Sequence, residues 1–188
     1  MGNDWRASMA EALDRIRTRY DYIGRKSGAP FIAITYAPEV EQAALREWHT
    51  QASALRPEFD VRTVDVLDCT HRILDELGID NVIDALEKPM PGSDTKAELA
   101  EVWVSTLARA VKDRLAEPGV GRPVVSVERL AALYPVAGPR DIMQRLWDTP
   151  GLVLEGPVVV LVPGRVTGPR TYGFLAKHEE LMYRGDLL

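Results

Sequence analysis

Several kinds of residue and segment are scarce or missing from this chain. Its 188 residues include a single cysteine, Cys69, which excludes an internal disulfide and a multi-cysteine metal site. Three histidines are present, and no two have the close spacing of zinc ligands. The longest apolar run, residues 158–162, is far too short to cross a bilayer, and the N-terminal residues lack the apolar stretch of a secretory signal. We therefore expect a soluble, cytoplasmic protein without bound metal.

Basic residues are also fewer than acidic residues. The chain has 23 Lys and Arg against 28 Asp and Glu, with a formal net charge of −5 and a pI near 5.3. This balance argues against general attraction to nucleic acid or to an anionic membrane, so we expect direct binding to neither. Apolar residues make up 46% and charged residues 27%, which is typical of a folded globular protein, and the length suits one domain.

Nucleotide-binding motifs are missing as well. Residues 164–171 ("GRVTGPRT") follow an apolar run, as a phosphate-binding loop would, but three residues rather than four separate the two glycines. Pro169 removes a backbone donor, and Arg170 stands where the P-loop has lysine. We interpret the segment as a connection between strands whose glycines permit unusual backbone angles. No G-x-G-x-x-G or G-x-S-x-G occurs, and we expect no cofactor.

Helical and strand patterns alternate along the chain, which predicts an α/β fold with a mainly parallel sheet and helices on both faces. The topology would be NTPase-like without a functional P-loop. We expect one domain over residues 1–188, with an N-terminal helix and linker at 1–27 and the core at 28–188. The predicted helices are 5–22, 38–55, two short ones divided at Gly78, 96–116 and one from Pro139; the predicted strands are 31–36, 60–68, 124–127, 157–162 and one or two closing strands.

Two candidate sites follow from side-chain chemistry. The first is Asp65, Asp68 and His71, with Cys69 between them, at the end of a predicted strand, where α/β sheets often bind ligands. They would form an acid–base or metal cluster. The alternative interpretation makes Asp68 a helix N-cap, Cys69 a core residue and His71 an exposed residue of the first turn.

The second candidate is a docking surface for another protein near the C-terminal end. Basic residues accumulate there in an otherwise acidic chain, and Arg and aromatic side chains are frequent interface hot spots. The alternative is that the tyrosines belong to the core and only the charges face water. The predicted partner-binding residues are Arg165, Arg170, Tyr172, Lys177 and Tyr183.

Three segments together resemble the BrxB-like proteins of BREX anti-phage systems. They are "APFIAITYAPEVE", "PVVSVERLAALYPVAGPRDIMQRL" and "GPVVVLVPGRVTGPRTYGFLAKHEELMYRGDLL". The pairs Tyr134-Pro135 and Pro163-Gly164, followed by Tyr172 and Tyr183, match the order of that family's landmarks. The resemblance spans residues 28–188 and lies in order and spacing more than in any one motif.

The resemblance implies a non-catalytic component of a multi-gene phage-defence system. Its partners would be larger proteins: a PglZ-type protein, an ATPase and a DNA methyltransferase. We therefore expect an adaptor that binds a partner such as the PglZ-type protein. The alternative is a small α/β enzyme using Asp65, Asp68 and His71. The sequence leaves the oligomeric state open.

Overall fold

A computed structural model describes residues 4–23, 30–149 and 153–188. Helices and strands alternate along them, with short 3-10 helices at Pro38–Val40 and Leu130–Leu133. The α-helices are α1 (Trp5–Ile23), α2 (Glu41–Ser53), α3 (Val66–Leu77), α4 (Ile79–Glu87), α5 (Thr95–Ala116) and α6 (Pro139–Asp148). The strands are β1 (Phe31–Tyr36), β2 (Phe59–Asp65), β3 (Arg122–Glu128), β4 (Val158–Gly168), β5 (Thr171–Phe174), β6 (His178–Leu181) and β7 (Gly185–Leu187).

Five of these strands run parallel, in the order β2-β3-β4-β1-β7. The register places Phe31 of β1 opposite Val158 of β4, and Phe59 of β2 opposite Arg122 of β3. The second half of β4 pairs antiparallel with β5, and β5 pairs with β6. The predicted α/β fold with a mainly parallel sheet is therefore confirmed.

Helices cover both faces of the parallel sheet, because successive side chains of a strand point to opposite faces. On one face, Ile32 and Ile34 of β1 pack with apolar residues of α1 and α2. On the other face, Phe31 and Ala33 pack with α3, α5 and α6. Both sides of β1 and of the first half of β4 are buried, which explains why their sequences are apolar at nearly every position.

The N-terminal helix belongs to the core of the domain. Met9 and Ile16 of α1 are fully buried, and they pack in the same cluster as Trp48 of α2. The linker predicted to follow this helix, up to residue 27, lies outside the described residues from position 24. No helix within the described ranges has the length and apolar character that a membrane span requires.

Several predicted boundaries differ from the structure, most of all those of helix 38–55 and of strands 60–68 and 157–162. The predicted helix 38–55 is divided into a 3-10 turn at Pro38–Val40 and α2. The predicted strand 60–68 ends at Asp65, because the Asp65 carboxylate accepts hydrogen bonds from the backbone N–H groups of Leu67 and Asp68 and so caps α3. Asp68 therefore lies inside the first turn and is not the N-cap.

Residues 164–171 belong mostly to the strands of a β-hairpin, because β4 continues to Gly168 and β5 begins at Thr171. The connection between strands, predicted to span all of them, is only Pro169 and Arg170. Gly164 lies opposite Phe174 and Arg165 opposite Gly173, in the antiparallel pairing of β4 with β5. The reason for glycine at position 164 is close approach, because a Cβ there would lie 2.0 Å from the Gly173 carbonyl oxygen. Unusual backbone angles, the reason given by the sequence interpretation, do not apply to Gly164 or Gly168.

Gly164→Ala is expected to destabilise the fold, because the new methyl group meets backbone that cannot rotate away. Overpacking of this kind typically costs about 1–3 kcal/mol. Gly168→Ala in the same hairpin is the matched control, since its Cβ would come no closer than 3.3 Å, to the Thr171 hydroxyl. Urea unfolding of both variants measures the difference, and equal free energies of unfolding would contradict this account.

Candidate functional site

The carboxyl ends of β2 and β3 border a cleft of about 770 Å³ between α2 and α3. Open parallel sheets commonly bind ligands at this edge. Most of the lining side chains are charged or polar, and both signs of charge are represented. The polar residues lining this cleft are Glu41, Gln42, Arg46, His49, Thr63, Asp65, Asp68, Arg72, Arg114, Glu128 and Arg129, and Cys69 lies among them.

The predicted cluster of Asp65, Asp68 and His71 is only partly assembled. Asp65 and Asp68 line the cleft, but His71 is exposed outside its lining. The reason is helical geometry, because positions i, i+3, i+4 and i+7 share one face of a helix. Counted from Asp65, that face carries Asp68, Cys69 and Arg72. His71, at i+6, points elsewhere.

Asp65 has two structural roles that occupy its carboxylate. One oxygen accepts the capping hydrogen bonds from α3, and the other lies 3.3 Å from Nε of Arg129. Arg129 follows β3 with a left-handed backbone, φ 57° and ψ 41°, a conformation uncommon for non-glycine residues. Its position brings a cation to the cleft beside the end of β2.

A buried carboxylate, Glu128, is the residue that the sequence interpretation missed. It is the last residue of β3 and is 2% exposed. One of its oxygens, Oε1, accepts hydrogen bonds from Ser126 Oγ at 2.8 Å and Thr63 Oγ1 at 3.3 Å. His49 Nε2 of α2 lies 2.9 Å from both oxygens. The available signal was the alternation of Ser126 and Glu128 on one face of an otherwise apolar strand.

Tyr36, at the end of β1, links this edge of the sheet to α2. Its hydroxyl donates to Glu41 Oε2 at 2.9 Å. Burial raises the pKa of Tyr36 well above its ordinary range, and the nearby carboxylates of Glu41 and Glu128 raise it further. The phenol therefore stays protonated and acts as a hydrogen-bond donor throughout the physiological pH range.

A second cleft, of about 700 Å³, lies at the carboxyl end of β1, beside the middle of β4. We call it the rim cleft. Arg165 and Lys177, two of the predicted partner-binding residues, line it, and both are exposed. The other residues lining the rim cleft are Trp5, Thr35, Tyr36, Ala37, Pro38, Glu39, Val40, Tyr134, Gly164, Leu175 and Ala176.

The other three predicted partner-binding residues lie outside the rim cleft. Tyr172 is fully buried, and its hydroxyl donates to Glu180 Oε2 at 2.6 Å, so its side chain is not part of a surface. The same Glu180 oxygen accepts from the backbone N–H of Arg140 at the start of α6. The alternative interpretation, which placed this tyrosine in the core, is correct for Tyr172.

Arg170 and Tyr183 lie near the surface but away from the rim cleft. Arg170 stands in the turn between β4 and β5, and its Nη2 lies 3.4 Å from the Met182 carbonyl oxygen. The partly buried Tyr183 donates its hydroxyl to Asp148 Oδ1 at 2.7 Å, which ties the C-terminal segment to the end of α6. The five predicted residues therefore do not form one continuous surface.

The segment after β1 differs from a phosphate-binding loop. In P-loop folds a glycine-rich loop joins a strand to a helix, and its backbone N–H groups surround the phosphates. Here β1 is followed by Ala37, Pro38 and Glu39, so a proline removes one donor and a carboxylate enters the first turn. Negative charge at that position would repel phosphate. These residues do not fit a nucleotide.

No protein-family model, curated protein or solved structure matches this chain. Within residues 4–23, 30–149 and 153–188, no group of three or more His, Cys, Asp or Glu side chains is arranged to hold a metal ion.

Tyr36→Phe is expected to reduce the loss of stability at high pH. Because the folded-state pKa of Tyr36 is raised above its ordinary value of 10, its stabilisation is complete below pH 10 and is lost as the pH rises. One phenol that ionises only in the unfolded chain lowers the free energy of unfolding by about 1.4 kcal/mol per pH unit above that point. Urea unfolding from about pH 8 to about pH 11 measures the slope. Equal slopes for wild type and variant above pH 10 would contradict the assignment.

Proposed function

We propose that this protein is an adaptor that binds a larger protein, and that it acts in the cytoplasm as a non-catalytic component of a BREX-type phage-defence system. The resemblance of residues 28–188 to BrxB-like proteins suggests a PglZ-type protein as the partner. The observation that carries the adaptor proposal is the rim cleft, where Arg165 and Lys177 stand beside exposed aromatic surface.

The two cations of the rim cleft are available to a partner. Neither Arg165 nor Lys177 has an ion-pair partner among the described residues. Tyr134, which lines the cleft with them, is 43% exposed. Arg and Tyr are enriched among interface hot spots because they combine apolar area with directed hydrogen bonding. The cleft suits a partner segment with an apolar side chain next to a carboxylate.

The turn between β5 and β6 supports the same conclusion. Leu175 and Ala176 both have positive φ angles, 51° and 53°, in the left-handed region that glycine normally occupies. Each such residue costs on the order of 1 kcal/mol, and strain of this kind concentrates at functional sites. Both residues line the rim cleft, immediately before Lys177. The strained turn therefore positions one of the two proposed cationic contacts.

Arg165→Glu combined with Lys177→Glu is expected to abolish co-purification with the PglZ-type partner. The two new carboxylates would repel a carboxylate of the partner. The melting temperature should change little because both side chains are exposed. Arg170→Glu is the matched control, since it alters a cation of the same strand pair outside the cleft lining. The rim-cleft proposal fails if the double variant binds at the wild-type level, or if Arg170→Glu disrupts binding equally.

A second candidate function, a small α/β enzyme, is favoured by one observation. The buried Glu128 carboxylate holds the His49 imidazole at 2.9 Å in the 770 Å³ cleft that also contains Asp65 and Asp68. A carboxylate-oriented imidazole is a common arrangement in acid–base catalysis. His49 would therefore take the role that the sequence interpretation gave to His71.

The enzyme and adaptor candidates predict different results for His49→Gln. If the cleft is catalytic, phage protection is lost while the partner still co-purifies. If the protein is only an adaptor, protection persists, because His49 does not line the rim cleft and is not required for docking there. Plaque assays combined with co-purification separate the two, and His71→Gln is the control histidine outside the cleft.

A further inference from the structure

Helix α4 exposes an apolar stripe that the fold does not cover. Ile79, Ile83 and Leu86 are 57%, 45% and 42% exposed, and Met90, just after the helix, is 74% exposed. Their spacing of four, three and four residues aligns the first three along one side of the helix. Single exposed aliphatic residues are ordinary, but a contiguous row of large ones marks an interaction surface. We call these four residues the α4 stripe.

Only one side of the apolar surface of α4 packs against the core of the domain. Val82 and Ala85 are half-buried, and Val82 packs against the main core cluster. The α4 stripe lies to one side of these two residues on the helix surface, since each residue turns about 100° around the axis. Helix α4 has no fully buried residue. The apolar surface of α4 is therefore larger than the part of it that packs against the domain.

The turn at Gly78 sets the direction of α4. Gly78 has a φ of 81°, which glycine adopts readily, and its N–H donates to the Leu74 carbonyl oxygen to end α3. The same residue caps the start of α4, and the Asn81 side chain donates to the Leu77 carbonyl oxygen at 2.8 Å. The junction is thus defined by hydrogen bonds on both sides. These hydrogen bonds set the direction of α4, and therefore the position of the α4 stripe on the surface.

Acidic side chains border the α4 stripe. On the helix surface Asp80, Asp84 and Glu87 follow the stripe on the side away from the core, and all three are exposed. Asp75 and Glu76 precede the helix, and Lys88, at its C-terminal end, lies 3.8 Å from Asp84. A second copy of the chain on this surface would bring like charges together, and an anionic membrane would be repelled.

We propose that the α4 stripe binds an amphipathic helix of a partner protein, with apolar residues facing the stripe and Lys or Arg along the border that meets Asp80, Asp84 and Glu87. Helices that pack side by side bury such stripes, and complementary charges along their flanks set the choice of partner. This surface is separate from the rim cleft, and the inference does not depend on the function proposed for that cleft. An adaptor with both surfaces would bind two partners at once.

The test uses the intact protein and a synthetic probe, an amphipathic peptide of about 18 Leu and Lys residues, long enough to form a marginally stable helix. Calorimetry should show binding that weakens as salt rises, because exposed charge pairs are screened. A peptide of the same composition in scrambled order, without an apolar face, should not bind. Ile83→Ser with Leu86→Ser should weaken binding by about tenfold or more, as expected for residues at the centre of a contact.

Matched controls separate the stripe from general hydrophobicity. Val120→Ser with Leu181→Ser removes two apolar side chains that are 83% and 53% exposed elsewhere on the surface, and should leave the affinity for the peptide unchanged. Thermal unfolding should be the same for both double variants. Asp80→Lys, Asp84→Lys and Glu87→Lys together should reverse the preference, so that a Leu and Glu peptide binds in place of the Leu and Lys peptide.

Three outcomes would overturn the proposal. Equal binding of the scrambled peptide would show that charge alone is recognised. A dimer in sedimentation that dissociates on Ile83→Ser with Leu86→Ser would show that a second copy covers the stripe. Binding of the wild-type chain, but not of this variant, to zwitterionic lipid vesicles would assign the stripe to a membrane. None of these measurements involves Arg165 or Lys177, so failure here leaves the rim-cleft proposal intact.

Discussion

The structure depends on hydrogen bonding along one long strand, β4. Its first half lies between β1 and β3 and completes the parallel sheet, while its second half pairs with β5 in the opposite sense. One continuous backbone forms both halves of β4. It therefore connects the rim cleft to the parallel sheet that also borders the 770 Å³ cleft of His49 and Glu128, which we call the polar cleft. The close approach at Gly164 occurs where β4 passes from one pairing to the other. A displacement of the backbone at Gly164 would therefore affect both the parallel sheet and the hairpin.

The carboxyl edge of the sheet holds two chemically different clefts, and Tyr36 stands between them. Its ring lines the rim cleft and its hydroxyl bonds to Glu41, which lines the polar cleft. Most charges of the polar cleft already have partners within the protein, as with Glu128 and the Asp65–Arg129 pair. The cations of the rim cleft do not. The reason for proposing a docking site at the rim cleft is this difference in ion pairing, and not the size of either cavity.

The sequence predicts local features well and long-range pairs poorly. The apolar runs of β1 and of the first half of β4 are evident because strands covered on both faces need such residues. The site residue Glu128 is different, since its partner His49 comes from another helix and no spacing in the sequence joins them. Asp65 and Asp68 are equally good caps by residue type, and only the folded backbone selects Asp65. Likewise, periodicity reveals that α4 has an apolar face but not that part of it remains uncovered.

The position of β1 has a consequence for the order in which the chain can fold. It is an early strand, yet both of its neighbours, β4 and β7, come from the C-terminal end of the sequence. During synthesis on the ribosome its six buried residues, "FIAITY", have no strand to pair with until residues 158–163 have emerged. Non-local parallel pairing of this kind is slow, and exposed apolar strands promote aggregation in the interval. The burial of β1 therefore depends on residues 158–163 and 185–187, so any step that delays their folding prolongs the exposure of this apolar segment.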